Sequence, residues 1–285
     1  MRSIRFAQHH HYAYGVSTAL SLARGRYVLF FSHDMHVPPA CLRTLLEAAA
    51  ARGDAEGAIL RPVSQHMDWA PGCQLAPPLP PRTTRDVDSF SRLVSNRYAL
   101  ALADYPILIG DAMLIGRRVI ETIDVFDVRF FGFWADVDYG LRAQRAGFKL
   151  QVAWGAWVHH SGSGFRREMA KARGAEAEAA VSQQIVDDAT RAYRLFREKW
   201  NMQLADDATQ VHAEDIAEQG AAAAAAGVRQ FEPPLAPDPA VWQELYRCNV
   251  RSRPLPQRAL WPARSWRERQ ARYDRSPWGA GPRAG

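Results

Sequence analysis

Cysteine is scarce in this sequence: Cys41, Cys73 and Cys248 are the only three in 285 residues, widely spaced and never in a C-x-x-C pair. An odd, scattered set suggests neither a disulfide framework nor a zinc knuckle, and it fits a reducing compartment. Long apolar runs are missing as well. No stretch approaches the roughly 20 residues needed to cross a bilayer, and Met1 to His11 are polar and histidine-rich, unlike a signal peptide. The expected location is cytoplasmic, either free or peripheral to the inner face of the membrane. Lysine is absent from Val241 to Gly285, where ten arginines face three acids for a net charge of +7. The rest of the chain holds the remaining 26 of 36 basic and 27 of 30 acidic residues, so the overall +6 belongs to the tail.

What is present is ordinary globular material, 47% apolar and 23% charged, in a chain long enough for one sizeable domain and an appendage. Tyr27-Val28-Leu29-Phe30-Phe31 is a β-branched and aromatic run after Ala23-Arg24-Gly25, and it reads as a buried strand running into the polar Ser32-His33-Asp34. Pro38-Pro39 then open a helix over Ala40 to Arg52. Ala58-Ile59-Leu60 with Pro62-Val63 is a second apolar segment, and five prolines between Pro71 and Pro81 impose a loop. Tyr105 to Ile115 reads as a strand, Arg117 to Ile123 as a short helix, Asp136 to Gly147 as an amphipathic helix and Phe148 to Val158 as another strand. One or two surface helices are expected between Arg166 and Trp200. Beyond Asn201 come an alanine run, a proline-rich stretch and the Arg/Trp tail. This gives an α/β domain over residues 1–201 and a helical or irregular extension over 202–285.

Three features carry chemistry. Asp136 and Asp138 stand two apart at a helix start behind the aromatic loop Phe130-Phe131-Gly132-Phe133-Trp134. They read either as caps that accept backbone N–H bonds or as a general base in an aromatic-walled cleft. Asp34 follows a strand, where an open α/β sheet binds ligands, and reads either as a turn aspartate or as a ligand for a divalent cation. His159-His160 closes the strand ending at Val158 and precedes Ser161-Gly162-Ser163-Gly164. It is either a solvated strand end or a metal contact beside a phosphate-closing loop.

Taken in this order the features resemble family-two glycosyltransferases of the GT-A fold, especially bacterial enzymes that build surface polysaccharides. The likeness runs from about Phe6 to Asn201 and rests on Ala23 to Tyr27 with Ser32-His33-Asp34, on Gly110 to Arg117, on Phe126 to Arg142, on Ala156 to His160 and on Lys199-Trp200-Asn201. The resemblance implies a mixed, Rossmann-like sheet flanked by helices. It implies transfer of a sugar from a nucleotide-diphosphate sugar donor to a glycan or lipid-linked acceptor, with Asp136 as base and Asp138 beside it at the acceptor side. It further implies Asp34 with His160, or alternatively His159, around Mn2+ or Mg2+, and substrate contacts from Trp134, Arg142, Gly110 and Asp111. Departures are visible: Ser32 replaces the first metal carboxylate, Ala135 the glutamate before the base, and His9 to Tyr12 and Ser17 to Ala19 an asparagine-rich stretch. The family's first nucleotide-binding strands have no counterpart before Ile4, so the domain is expected to be truncated at its N-terminus. Two other function classes compete: a non-catalytic glycan- or partner-binding relative, and a nucleic-acid binder using Trp261, Trp266, Tyr273 and Trp278 among the tail arginines. A solvated tail, or one touching anionic lipid, accounts for the same residues with less.

Overall fold

The computed structural model describes residues 11–66, 73–130, 132–161, 172 and 174–225. Phe131, the Gly162 to Gly164 loop and the whole Arg/Trp tail lie outside the described residues.

The molecule is α/β, with a mixed five-stranded sheet flanked by helices. In chain order the elements are α1 (Tyr12–Leu22), β1 (Tyr27–Phe31), β2 (Met35–His36), α2 (Pro39–Ala50), β3 (Ile59–Val63), α3 (Thr84–Tyr98), β4 (Leu102–Asp104), β5 (Ala112–Gly116), α4 (Arg117–Ile123), α5 (Ala135–Arg145), β6 (Leu150–Trp157), β7 (His159–His160), α6 (Ala175–Trp200) and α7 (Ala213–Ala225). The sheet order is β1-β5-β3-β6-β4. β3 and β6 are parallel, and the other neighbours are antiparallel. β2 and β7 form a separate two-stranded ribbon, with Met35 opposite His160 and His36 opposite His159. Because β5 runs against both β1 and β3, the carboxyl ends of β1, β3 and β6 and the start of β5 all lie at one edge of the sheet.

Strand alternation builds a core on each face. Met113 and Ile115 of β5 with Ile59 and Val63 of β3 point to the face covered by α1, α5 and α6. Ala112, Leu114 and Leu60 point to the other, where α2 adds Cys41, Leu45, Ala48 and Ala49. Pro62 is tolerated inside β3 because pairing with β5 stops at Leu60 and the register with β6 slips between Pro62 and Val63. β1 stands at the sheet edge. All five of its residues are only half-buried, whereas all five of β3 and all five of β5 are buried. Among the described strands, none pairs with its outer side.

Tyr105 to Ile115 is not one strand. β4 ends at Asp104, and a turn carrying Ile107, Leu108 and Ile109 inward precedes β5, so the apolar run is a buried loop joined to a strand. The packed body also extends past residue 201: Met202, Leu204, Val211, Ala213 and Ile216 belong to the main core. Among the described residues, no helix is long and apolar enough to cross a membrane.

Candidate functional site

The sheet edge brings together side chains that are far apart in sequence. The turn after β1 is tied to the start of β5, since the Ser32 backbone N–H donates to the Asp111 carbonyl (2.8 Å). The ribbon then lays β7 on β2, with the Ser161 N–H donating to the Asp34 carbonyl (3.0 Å). His160 is thereby held between two carboxylates: its Nε2 is 3.4 Å from Asp34 Oδ2 and its Nδ1 is 3.3 Å from Asp111 Oδ2. The same Nδ1 lies 3.2 Å from the His66 carbonyl, and Gln65 Nε2 donates to the His160 carbonyl (2.8 Å). Burial disfavours the charged imidazole, yet the hydrogen bond and charge of Asp111, the His66 carbonyl and Asp34 raise its pKa above the usual histidine value. His159 goes the other way. Its Nδ1 is 3.0 Å from Gln65 Nε2, and burial together with the neighbouring histidines His36, His160 and His66 lowers its pKa.

Asp111 is pinned from several sides. Its Oδ1 accepts from Arg61 Nη2 (2.6 Å) and from the Ala112 backbone N–H (2.8 Å). Arg61 is the third residue of β3 and only 3% exposed, and its Nε and Nη1 meet no partner among the described residues. A buried donor left unpaired costs about 1–3 kcal/mol, so this guanidinium is an expensive feature.

Asp136 adjoins the cluster through the chain. Its Oδ2 accepts from the Gly110 N–H (2.7 Å) and its Oδ1 from the Val137 N–H (3.0 Å), while the Tyr12 hydroxyl donates to the Gly110 carbonyl (2.6 Å). Burial raises the Asp136 pKa and nearby Asp111 adds to the effect, with the two N–H donors working against it. The phenol of Tyr12 is pushed well up by burial and by the charges of Asp136 and Asp111. Gly110 earns its identity here: a Cβ would stand 2.1 Å from the Tyr12 hydroxyl and 2.7 Å from Asp136 Cβ. It shapes the site by its smallness.

The remaining predicted residues lie elsewhere. Asp138, two positions from Asp136, points into the core with its side chain fully enclosed. It accepts from Arg142 Nε (3.0 Å) and Trp200 Nε1 (3.0 Å), and Lys199 Nζ is 2.7 Å away. Arg142 spends its other nitrogens on the Ile123 and Val125 carbonyls (2.5 and 2.8 Å). Both side chains are buried away from the site, because helical geometry turns residues two apart to different faces. Trp134 is buried rather than exposed on a cleft wall. It adopts a left-handed conformation (φ 67°) immediately before α5 and packs on Tyr193 and Phe196 of α6, with ring centroids 4.8 and 4.9 Å away.

The expected cation does not fit this arrangement. Among the described residues, no group of three or more His, Cys, Asp or Glu side chains is set to hold a metal ion. Asp34 and His160 do meet, but the ring is engaged within the cluster, with Nε2 facing Asp34 and Nδ1 facing Asp111 and the His66 carbonyl. His159 points to Gln65 instead.

The structure thus joins Asp34, His160, Asp111 and Asp136 in one contiguous site and sets Asp138, Arg142 and Trp134 apart from it. Sequence reasoning missed Arg61 and Tyr12. A lone arginine in an apolar strand was a signal in plain view, since a charge placed there needs a partner. Compared with models of known protein families and with curated proteins, the sequence finds no match.

Proposed function

We propose that this chain is a nucleotide-sugar-dependent glycosyltransferase of GT-A type, with Asp136 as its general base. The observation that carries the reading is Asp136 itself, a carboxylate with a raised pKa at the start of α5, next to the sheet edge where Asp34, Asp111 and His160 converge. Ligands of open α/β sheets bind at the carboxyl ends of strands, and a base works best with a pKa drawn towards the operating pH. In this reading Asp136 takes the proton from an acceptor hydroxyl, the freed oxygen attacks the anomeric carbon of the donor, and the bond to the diphosphate oxygen breaks. Gly110 and Val137 orient the carboxylate through their N–H groups. Tyr12, held on the Gly110 carbonyl, closes the other side. A divalent cation would supply charge neutralisation at the diphosphate, but the described residues do not fit one as they stand.

The partners in this reading are a nucleotide-sugar donor and a glycan or lipid-linked acceptor, with peripheral membrane contact through the basic tail. A second reading, a non-catalytic glycan- or partner-binding relative, draws support from His160, which closes the expected cation site with its own contacts. The test is release of nucleoside diphosphate from a panel of nucleotide sugars in the presence of glycan and lipid-linked acceptors. Asp136→Asn should lower kcat by about 10²–10⁴ with donor binding nearly unchanged. Wild-type turnover in that variant removes Asp136 from the role, and no release with any donor favours the binding-module reading.

A further inference from the structure

We infer that Arg61 is the core of an anion subsite that grips a carboxylate or phosphate group of a small ligand on the guanidinium edge that Asp111 leaves open. Arg61 lies within an otherwise apolar strand, 3% exposed, where a permanent charge needs full pairing. It receives half of that. Nη2 alone is engaged, by one oxygen of Asp111, while Nε and Nη1 on either side meet no partner among the described residues.

Asp111 cannot turn to complete the pair. Its Oδ1 is also held by the Ala112 N–H and its Oδ2 by His160, so a bidentate grip on Arg61 would break one contact or the other. The residues that sense the charge of Arg61 do not compensate it either. Cys73 and Tyr105 both have pKa values raised by burial and stay neutral at ordinary pH. What remains is a planar cation with two edges flanking Nη2, the geometry that matches a group carrying two oxygens on one atom. Its contacts link Arg61 through Asp111 to His160 and Asp34, whose side chains retain 13% and 11% exposure. This inference does not depend on sugar transfer. Anion binding without transfer leaves it intact, and transfer without anion binding overturns it.

The experiment follows the Arg61 Nε–H resonance in ¹⁵N-labelled full-length protein, identified by its loss in Arg61→Lys. Sodium phosphate and sodium acetate are titrated separately, with sodium chloride at matched ionic strength as control. One of the two oxyanions is expected to shift the resonance saturably with a midpoint of about 10 mM or below, and to raise the thermal midpoint of the wild type. Chloride should do neither, and Arg61→Lys, which keeps the charge but loses the fork, should abolish the thermal response. Which oxyanion acts identifies the ligand chemistry as phosphoryl or carboxylate. If Arg61→Lys does not fold, through-bond correlation of the Nε–H to the backbone of Arg61 in the wild type assigns the resonance, and the wild-type titration decides. A resonance unmoved by about 50 mM of either anion, far above millimolar affinity, means that buried water alone satisfies the guanidinium, and the subsite is withdrawn.

Discussion

Asp127 holds a charge in a place where water does not reach it. Its side chain is fully enclosed, and burial alone would push its pKa up, but Arg129 and Lys199 hold it down at about 2. The sign follows from linkage. An ordinary carboxylate titrates near 3.8, so the native state keeps Asp127 ionised where the unfolded chain takes up a proton. The stabilisation is present above about pH 4 and fades as pH falls towards 2, and the gap corresponds to about 2 kcal/mol. In urea unfolding, the stability difference between wild type and Asp127→Asn should therefore shrink by about that amount from pH 5 to pH 2. A difference that does not change with pH would show that Asp127 is not held ionised by its neighbours. The same residues show where local reading stops. Phe126 to Arg142 stands out as charged and aromatic in the sequence, but which of its carboxylates faces solvent depends on Lys199 and Trp200, some sixty positions later. Asp34 and His160 were paired by resemblance, not by any local rule, and Arg61 belongs to no motif.

At the level of elements, short and sharply bounded ones were the most legible. Tyr27–Phe31 and Arg117–Ile123 have the same bounds in the structure as in the sequence, because a β-branched run after a glycine and a short apolar period bounded by polar residues leave few alternatives. α1 and α3 were not anticipated. The cap of α3 is nonetheless written locally, with Thr83 and Asp86 exchanging side-chain and backbone bonds, and a scan for that spacing would have found it. α6 has a task that its surface composition hides. Its last turn inserts Lys199 between Asp127 and Asp138, and its Tyr193 and Phe196 clamp the left-handed Trp134 that aims α5. Removing one partner from a buried pair costs about 3–5 kcal/mol, against about 0–1 for an exposed one. Lys199→Met should therefore destabilise by about 3 kcal/mol or more, whereas Arg197→Met, which loses the pair with Asp206 and the contact of its guanidinium with the Tyr193 ring, should cost under about 2. Equal losses in chemical denaturation would mean that α6 is not fixed by this network.

The sheet edge is the feature of the whole molecule with the widest reach. β1 carries no charge, no proline and no bulge, and its half-buried aromatic and aliphatic residues end the sheet where natural edges are usually blunted. Such an edge pairs with further strands. The protein should self-associate, its weight-average mass in analytical ultracentrifugation rising between about 1 and 100 μM, the range of weak protein pairing. Leu29→Lys should suppress the association at a cost of about 1–2 kcal/mol, since lysine can carry its charge outward along an apolar stem. A wild type that stays monomeric across that range would show the edge to be covered within the chain.

The two-residue ribbon of β2 and β7 has a consequence for the order in which the protein becomes itself. A pairing this short does not stand alone in water, and it joins segments separated by most of the described chain. Its closure entropy is repaid only after the sheet and its helices have brought the two segments near each other. The juxtaposition of Asp34 with His160 is thus acquired late in folding and released early in partial opening, long before the buried strands exchange their amide protons. A melting curve that follows the sheet will overstate the range of temperature over which the assembled site exists.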